Sequence, residues 1–252
     1  MSVDKNQIRA GLHDLGVMSG DLLLVHSSLR SFGYVEGGAD TVIDALLETV
    51  GDSGTVLVPT LTFTVLKSWP HLFSVGKAPS SSGRITETLR QRKEAVRSGH
   101  PVSSAAAIGS QAAYLTAAHR DTPCGPDSPY FRLYELGGKV VFFGASLGSN
   151  SVFHCAEEIV RPAYLGFATI KGAIVEDRDG RRRTVTARRY DCFDRGITRH
   201  LGNMEPVFLE RGLLQRAMIG ESRTYVIDAQ ANVDVSCEVL TENPDYILSA
   251  LH

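Results

Sequence analysis

No Cys-x-x-Cys pair occurs in this chain; its four cysteines, Cys124, Cys155, Cys192 and Cys237, stand far apart. That spacing offers neither a zinc site nor a disulfide framework, so reduced thiols in a cytoplasmic protein are expected. Also missing is any apolar run near the roughly 20 residues that a membrane-spanning helix needs. The first residues, Met1-Ser-Val-Asp-Lys-Asn-Gln-Ile-Arg9, lack the apolar centre of a secretion signal. No Gly-Lys-Ser/Thr follows a glycine-rich loop and no Gly-x-Gly-x-x-Gly follows a strand, which disfavours nucleoside triphosphates and dinucleotides. Charge of one sign is scarce too. A net charge of -2 argues against nucleic acid or an anionic membrane as the main partner.

What is present suits a soluble α/β protein. The 252 residues, 43% hydrophobic and 21% charged, are enough for one large domain over 1–252 with a sizeable core. A helix is expected over residues 4–15, with Asp4 and Gln7 as a capping box and Ile8, Leu12 and Leu15 as its apolar stripe. The run 21–26 reads as a strand buried on both faces, 40–50 as an amphipathic helix stopped by Gly51, and 55–59 as a second strand. Together they form a βαβ unit. Residues 61–82 break the pattern and read as a long loop, which in a compact domain usually shapes a binding site. Short helices are expected at 85–91, 110–118 and 129–136, and a strand at 139–144. Beyond these come a hairpin over 165–175 and 183–190 around the turn Asp177-Arg-Asp-Gly180, and a helix at 205–211. A further strand pair (214–218, 223–227) and a last helix follow. The expected fold is therefore a layered α/β/α arrangement with a central mixed, partly parallel sheet and an antiparallel, hairpin-rich second half.

Chemistry concentrates after the 139–144 strand. Ser151, His154 and Glu157 recur every three residues, so on a helix they share a face at the carboxyl end of an expected parallel strand. A hydroxyl, an imidazole and a carboxylate there suit base-assisted catalysis, although the same spacing also describes a surface histidine beside a solvated glutamate. No Gly-x-Ser-x-Gly elbow surrounds Ser151, which speaks against a serine hydrolase. Asp191 and Asp194 follow the 183–190 strand and are alternative partners for His154; each also reads as an ordinary turn cap. His26 ends the first buried strand before Ser27, Ser28 and Leu29, and Gly37-Gly38 precede a helix, a combination that can cradle a coenzyme pyrophosphate. Arg97-Ser98-Gly99-His100-Pro101 with Ser103 and Ser104 is either a polar turn or part of the site. The remaining histidines show no ligand spacing, so no metal is expected.

Taken in order, these segments resemble the aminoglycoside 3-N-acetyltransferase (antibiotic N-acetyltransferase) family. The matching stretches are Gly20-Asp-Leu-Leu-Leu-Val-His26-Ser27-Ser28-Leu29, Val35-Glu-Gly37-Gly38, Gly51-x-x-Gly54-Thr55 and Arg97-Ser98-x-His100-Pro101-x-x-Ser104. Gly125-Pro126-x-Ser128-Pro129, the 137–144 segment, Ser151-x-x-His154-x-Ala156-Glu157, Tyr190-Asp191 and Asp228-Ala-Gln230 complete the series. The resemblance implies acetyl transfer from acetyl-coenzyme A to a small-molecule amine such as that of an amino sugar. It implies His154 as general base, Ser151 as hydrogen-bond donor, and His26, Ser27, Ser28, Leu29, Gly37, Gly38 and Ser104 along the coenzyme. It leaves a homodimer open. The chain departs from the family pattern at Arg189, where drug-modifying members carry a glutamate that supports the histidine. It departs again between Asp52 and Glu87, where no acidic residue occurs. Both departures imply that polycationic aminoglycosides are poor substrates and that an amine on a neutral or anionic molecule fits better.

Overall fold

The strongest sequence signals, continuous apolar runs, become the centre of one twisted sheet. The structure, a computed structural model, describes residues 2–249. In chain order the elements are β1 (Ser2–Val3), α1 (Lys5–Asp14), β2 (Leu22–Ser27), β3 (Tyr34–Val35), α2 (Gly38–Val50), β4 (Thr55–Pro59), β5 (Leu72–Ser74), α3 (Arg84–Gln91), β6 (Val96–Arg97) and β7 (Ala105–Gly109). They continue with α4 (Ala112–Thr116), α5 (Pro129–Glu135), β8 (Lys139–Phe143), α6 (Phe153–Val160), β9 (Phe167–Glu176), β10 (Arg182–Tyr190), α7 (Met204–Glu210), β11 (Gln215–Ile219), β12 (Ser222–Asp228) and α8 (Ala229–Glu242).

Seven strands form the main sheet in the order β11-β12-β8-β2-β4-β7-β6. β2 runs parallel to β8 and β4, and the outer pairs are antiparallel, so the sheet is mixed as expected. Alternate residues of each strand feed opposite faces. Leu24, Leu57, Val140, Phe142 and Ile227 pack toward α4 to α8, while Leu23, Val25, Val56, Val141 and Phe143 pack toward α1, α2 and α3. The strands are buried on both faces because helices cover both, which explains runs with no polar alternation.

One strand went unread in the sequence, and one reading needs correction. β7, Ala105–Gly109, is a fully integrated strand between β4 and β6 that the alanine run did not announce, since alanine is a poor strand former. Here small side chains permit close packing of the helical layers. The 61–82 segment is not structureless: it holds a 3₁₀ turn at Phe63–Lys67, and its strand β5 adds to the β9–β10 hairpin as a second, three-stranded sheet. Arg97 pins this segment. Buried, and with no carboxylate partner among the described residues, its guanidinium donates to the oxygens of Thr60, Thr62, Ser104, Val75 and Ala78. Among the described residues no helix is long and apolar enough to cross a membrane.

Candidate active site

The three mutually parallel strands end at one place. His26 and Ser27 close β2, Pro59 closes β4, and Ala145 follows β8, and all four line a cavity of about 820 Å³. A crevice at the carboxyl ends of parallel strands is the usual ligand position in such sheets. Loop residues Leu61, Phe63, Leu66, Ser81 and Ser82 form another wall, and β10 with its following turn supplies Arg189, Tyr190, Phe193 and Asp194.

α6 delivers His154 and Glu157 one turn apart. His154 Nδ1 lies 2.5 Å from Glu157 Oε2, while the His154 ring lines the cavity. An imidazole that gives its Nδ1 proton to a carboxylate holds a lone pair at Nε2, the nitrogen left for the cavity. Glu157 is completely buried and also accepts from Arg199 Nη1 at 2.8 Å and Tyr164 Oη at 2.8 Å. Burial alone would push its carboxyl up, but the charges and hydrogen bonds of His154, Arg199 and Tyr164 outweigh that and hold it below the usual carboxylate range. Tyr190 flanks the His154 ring with centroids 5.1 Å apart, carries Arg199 at 5.0 Å over its own ring, and donates its hydroxyl to Glu158.

Ser151 stands just ahead of α6, on the cavity wall, and no hydrogen bond joins its hydroxyl to His154 among the described residues. Its backbone N–H donates to His26 Nε2 at 3.2 Å. His26 is buried and stacks on Phe142, and burial, reinforced by His154, pushes its pKa down to about 3. It is therefore a neutral acceptor that fixes the Ser151 turn across the sheet, and it also touches the cavity.

The other expected site residues are spread more widely. Asp191 does not reach His154, because its carboxylate pairs with Arg195 at 3.2 Å. Asp194 does line the cavity, bound to Arg189 at 2.6 Å. Gly37 and Gly38 turn the chain into α2 with positive φ, and neither they, Ser28 nor Leu29 line the cavity. Ser104 faces Thr60 and Arg97 rather than the opening. His100 and His119 are buried and satisfied: His100 Nδ1 accepts from the Val102 and Ser103 amides, and His119 bonds Ser98 and the Thr122 and Pro123 carbonyls.

Sequence reasoning missed three features. Arg199 follows no motif and lies 42 residues from the carboxylate it pairs with. Glu158, beside Glu157, ties Tyr190 and the Cys124 amide together. A Gly-x-Ser-x-Gly pattern does exist at Gly144-Ala-Ser146-Leu-Gly148, directly after β8. Ser146 nevertheless has ordinary extended backbone (φ -76°, ψ 162°) and opens on a different depression, so it is no nucleophile elbow. Cys124 lines the cavity, and burial and the neighbouring Cys155 push its thiol well up, which disfavours the thiolate. No cluster able to hold a metal ion occurs among the described residues.

Residues 24–241 match the model of the aminoglycoside 3-N-acetyltransferase family. The chain belongs to that family. Aminoglycoside N(3)-acetyltransferase IX of Micromonospora chalcea is 32% identical over 90% of this chain and 89% of its own length. Aminoglycoside N(3)-acetyltransferase VII of Streptomyces paromomycinus is 38% identical, over 62% of this chain and 61% of that protein, so that match spans less than two thirds of the relative. A solved structure described as AAC-IIIb in binary complex with CoASH superposes with a TM-score of 0.85 at 25% identity, covering 100% of both chains. The protein is thus an N-acyltransferase that uses acetyl-coenzyme A as co-substrate. The cavity fits that donor: small side chains at Ser27, Ala145 and Gly148 open it, and Leu61, Val102 and Pro123 give it apolar walls for a thioester arm.

Proposed function

We propose that this acetyltransferase acylates an amine of an amino sugar or related small molecule, with His154 as general base. The observation that carries this reading is the pair formed by His154 and the buried Glu157 at the cavity wall. An ammonium has no lone pair, so the acceptor must lose a proton before or during attack on a thioester carbonyl. His154 Nε2 takes that proton, and Glu157 holds the ring in the tautomer that makes this possible and stabilises the cation that forms. Ser151, whose turn is held by His26, offers its hydroxyl to the oxygen that gains charge as the carbonyl is attacked. The contacts from Arg199 and Tyr164, with His154, keep the buried Glu157 carboxylate ionised against the cost of its burial and leave it unable to act elsewhere. Asp191, engaged by Arg195, takes no part in this step. The reaction is direct transfer within one domain of a cytoplasmic protein.

Direct transfer has a simple test. Mixing the enzyme with acetyl-coenzyme A should release free thiol only when an amine is supplied, in equal amount to N-acetyl product. A stoichiometric burst of thiol without amine, with acetyl bound to Ser151, would overturn direct transfer in favour of a covalent route.

A further inference from the structure

The charged groups that line the cavity beyond the reacting centre are two arginines, Arg189 and Arg199, and one carboxylate, Asp194. The carboxylate is already engaged: Asp194 accepts from Arg189 Nη2 at 2.6 Å. Glu157 faces inward, fully buried, and its oxygens are taken by His154, Arg199 and Tyr164. No unpaired carboxylate therefore faces the cavity among the described residues. The guanidinium groups have donors to spare. Each carries five N–H groups in a planar fork. Arg189 uses one on Asp194 and one on the Tyr190 carbonyl, leaving Nε without a protein partner. Arg199 turns Nη1 to Glu157, which leaves Nε and Nη2. Neither residue has an orphaned buried nitrogen among the described residues, so these donors reach solvent, and both residues line the cavity. Beside them stands the Phe193 ring, almost completely exposed at 92%.

We infer that Arg189 and Arg199 form an acceptor subsite for an anionic group, so that the preferred substrate is an amine whose molecule also carries a phosphate or carboxylate. Planar guanidinium forks match the oxygens of both groups in two-point contacts. A polycation meets the opposite situation: its extra ammonium groups find no free carboxylate and must compete with Arg189 for Asp194. Asp194 is half exposed, so water can solvate its carboxylate when an anion takes its place on Arg189. The inference rests on the acetyltransfer reading, which it makes specific.

The test compares acceptors that share one core: glucosamine, glucosamine 6-phosphate, 2-amino-2-deoxyglucuronate and, as polycation, tobramycin. With the wild-type enzyme, at least one anionic acceptor should exceed glucosamine by tenfold or more in kcat/KM, and the two anionic arms show whether phosphate or carboxylate is read. Arg189→Glu should erase that advantage while the KM for acetyl-coenzyme A stays within twofold, and Arg189→Lys should retain part of it. Tobramycin as the best wild-type acceptor would overturn the inference and leave the acetyltransfer reading standing. So would an Arg189→Glu effect confined to the KM of acetyl-coenzyme A, which would assign the arginines to the coenzyme phosphates. If no amine is acetylated at all, the acetyltransfer reading fails, and calorimetric binding of glucosamine 6-phosphate still decides the subsite. Binding to the wild type that Arg189→Glu weakens at least tenfold supports it, and equal or absent binding overturns it.

Discussion

His154 and His100 both stand near one cavity, yet the chain treats them in opposite ways. His154 faces the opening and gives Nδ1 to a buried carboxylate. His100 lies one layer behind the wall formed by Val102 and Ser103, is fully buried, and receives their amides while Nε2 meets the Arg188 carbonyl. Its pKa is pushed down to about 4 by burial, only partly offset by backbone bonds to Arg188 and Asp121. A histidine offered only neutral partners stays uncharged and builds structure. One offered a carboxylate and an opening to substrate can accept a proton and survive carrying it.

The sharpest way to break this comparison is to remove the carboxylate. Glu157→Gln keeps the shape but loses the charge that fixes and stabilises the imidazole, so kcat should fall between about 10²- and 10⁴-fold. Steady-state thiol release checks it, and a change below threefold would remove Glu157 from the mechanism. Next in size is the acid response of the buried histidines. His26, His100 and His119 all titrate below the ordinary value near 6.5 when folded. The unfolded chain therefore binds protons that the native state refuses. Stability is complete above about pH 6.5 and falls as the pH drops toward about 4 for His100 and about 3 for His26. At pH 5 the loss is about 2 kcal/mol for each such histidine. Urea midpoints at pH 7.5 and 5.0 should show that decline, whereas equal midpoints would mean that these rings are not held neutral. The smallest effect is expected at Asp191. Its pairing with Arg195 is a partly exposed contact worth at most about 1 kcal/mol, so Asp191→Asn should change kcat less than about fivefold. A larger loss would restore it as the partner of His154.

The sequence made some of this legible for definite reasons. Long apolar runs at β2, β4 and β8 are unmistakable because strands covered on both faces need no polar residues. His154 and Glu157 could be paired because a helix brings residues three apart together, and α6 is a helix at that point. Ser151 precedes α6, so it reaches the same wall from a turn, not from the helix face that its spacing suggested. Arg199 could not be read at all, since it comes from an irregular segment brought back to Glu157 by tertiary packing. The glycines at 37 and 38 carry the composition of an anion cradle but serve the entry to α2, away from the cavity, because local backbone freedom does not say what the turn will face. Arg97 and His100 sit in a motif that reads as chemistry, and burial makes them anchors for the loop wall instead.

The central claim is that His154, and not a buried histidine behind it, is the base. It is tested most directly by comparing His154→Ala and His100→Ala for acetyl transfer and for thermal stability in the same buffer. The account predicts that His154→Ala loses about 10²- to 10⁴-fold in kcat with a melting temperature near that of the wild type, whereas His100→Ala melts lower and keeps most of its turnover below that melting point. His154→Ala turning over within tenfold of the wild type would contradict it.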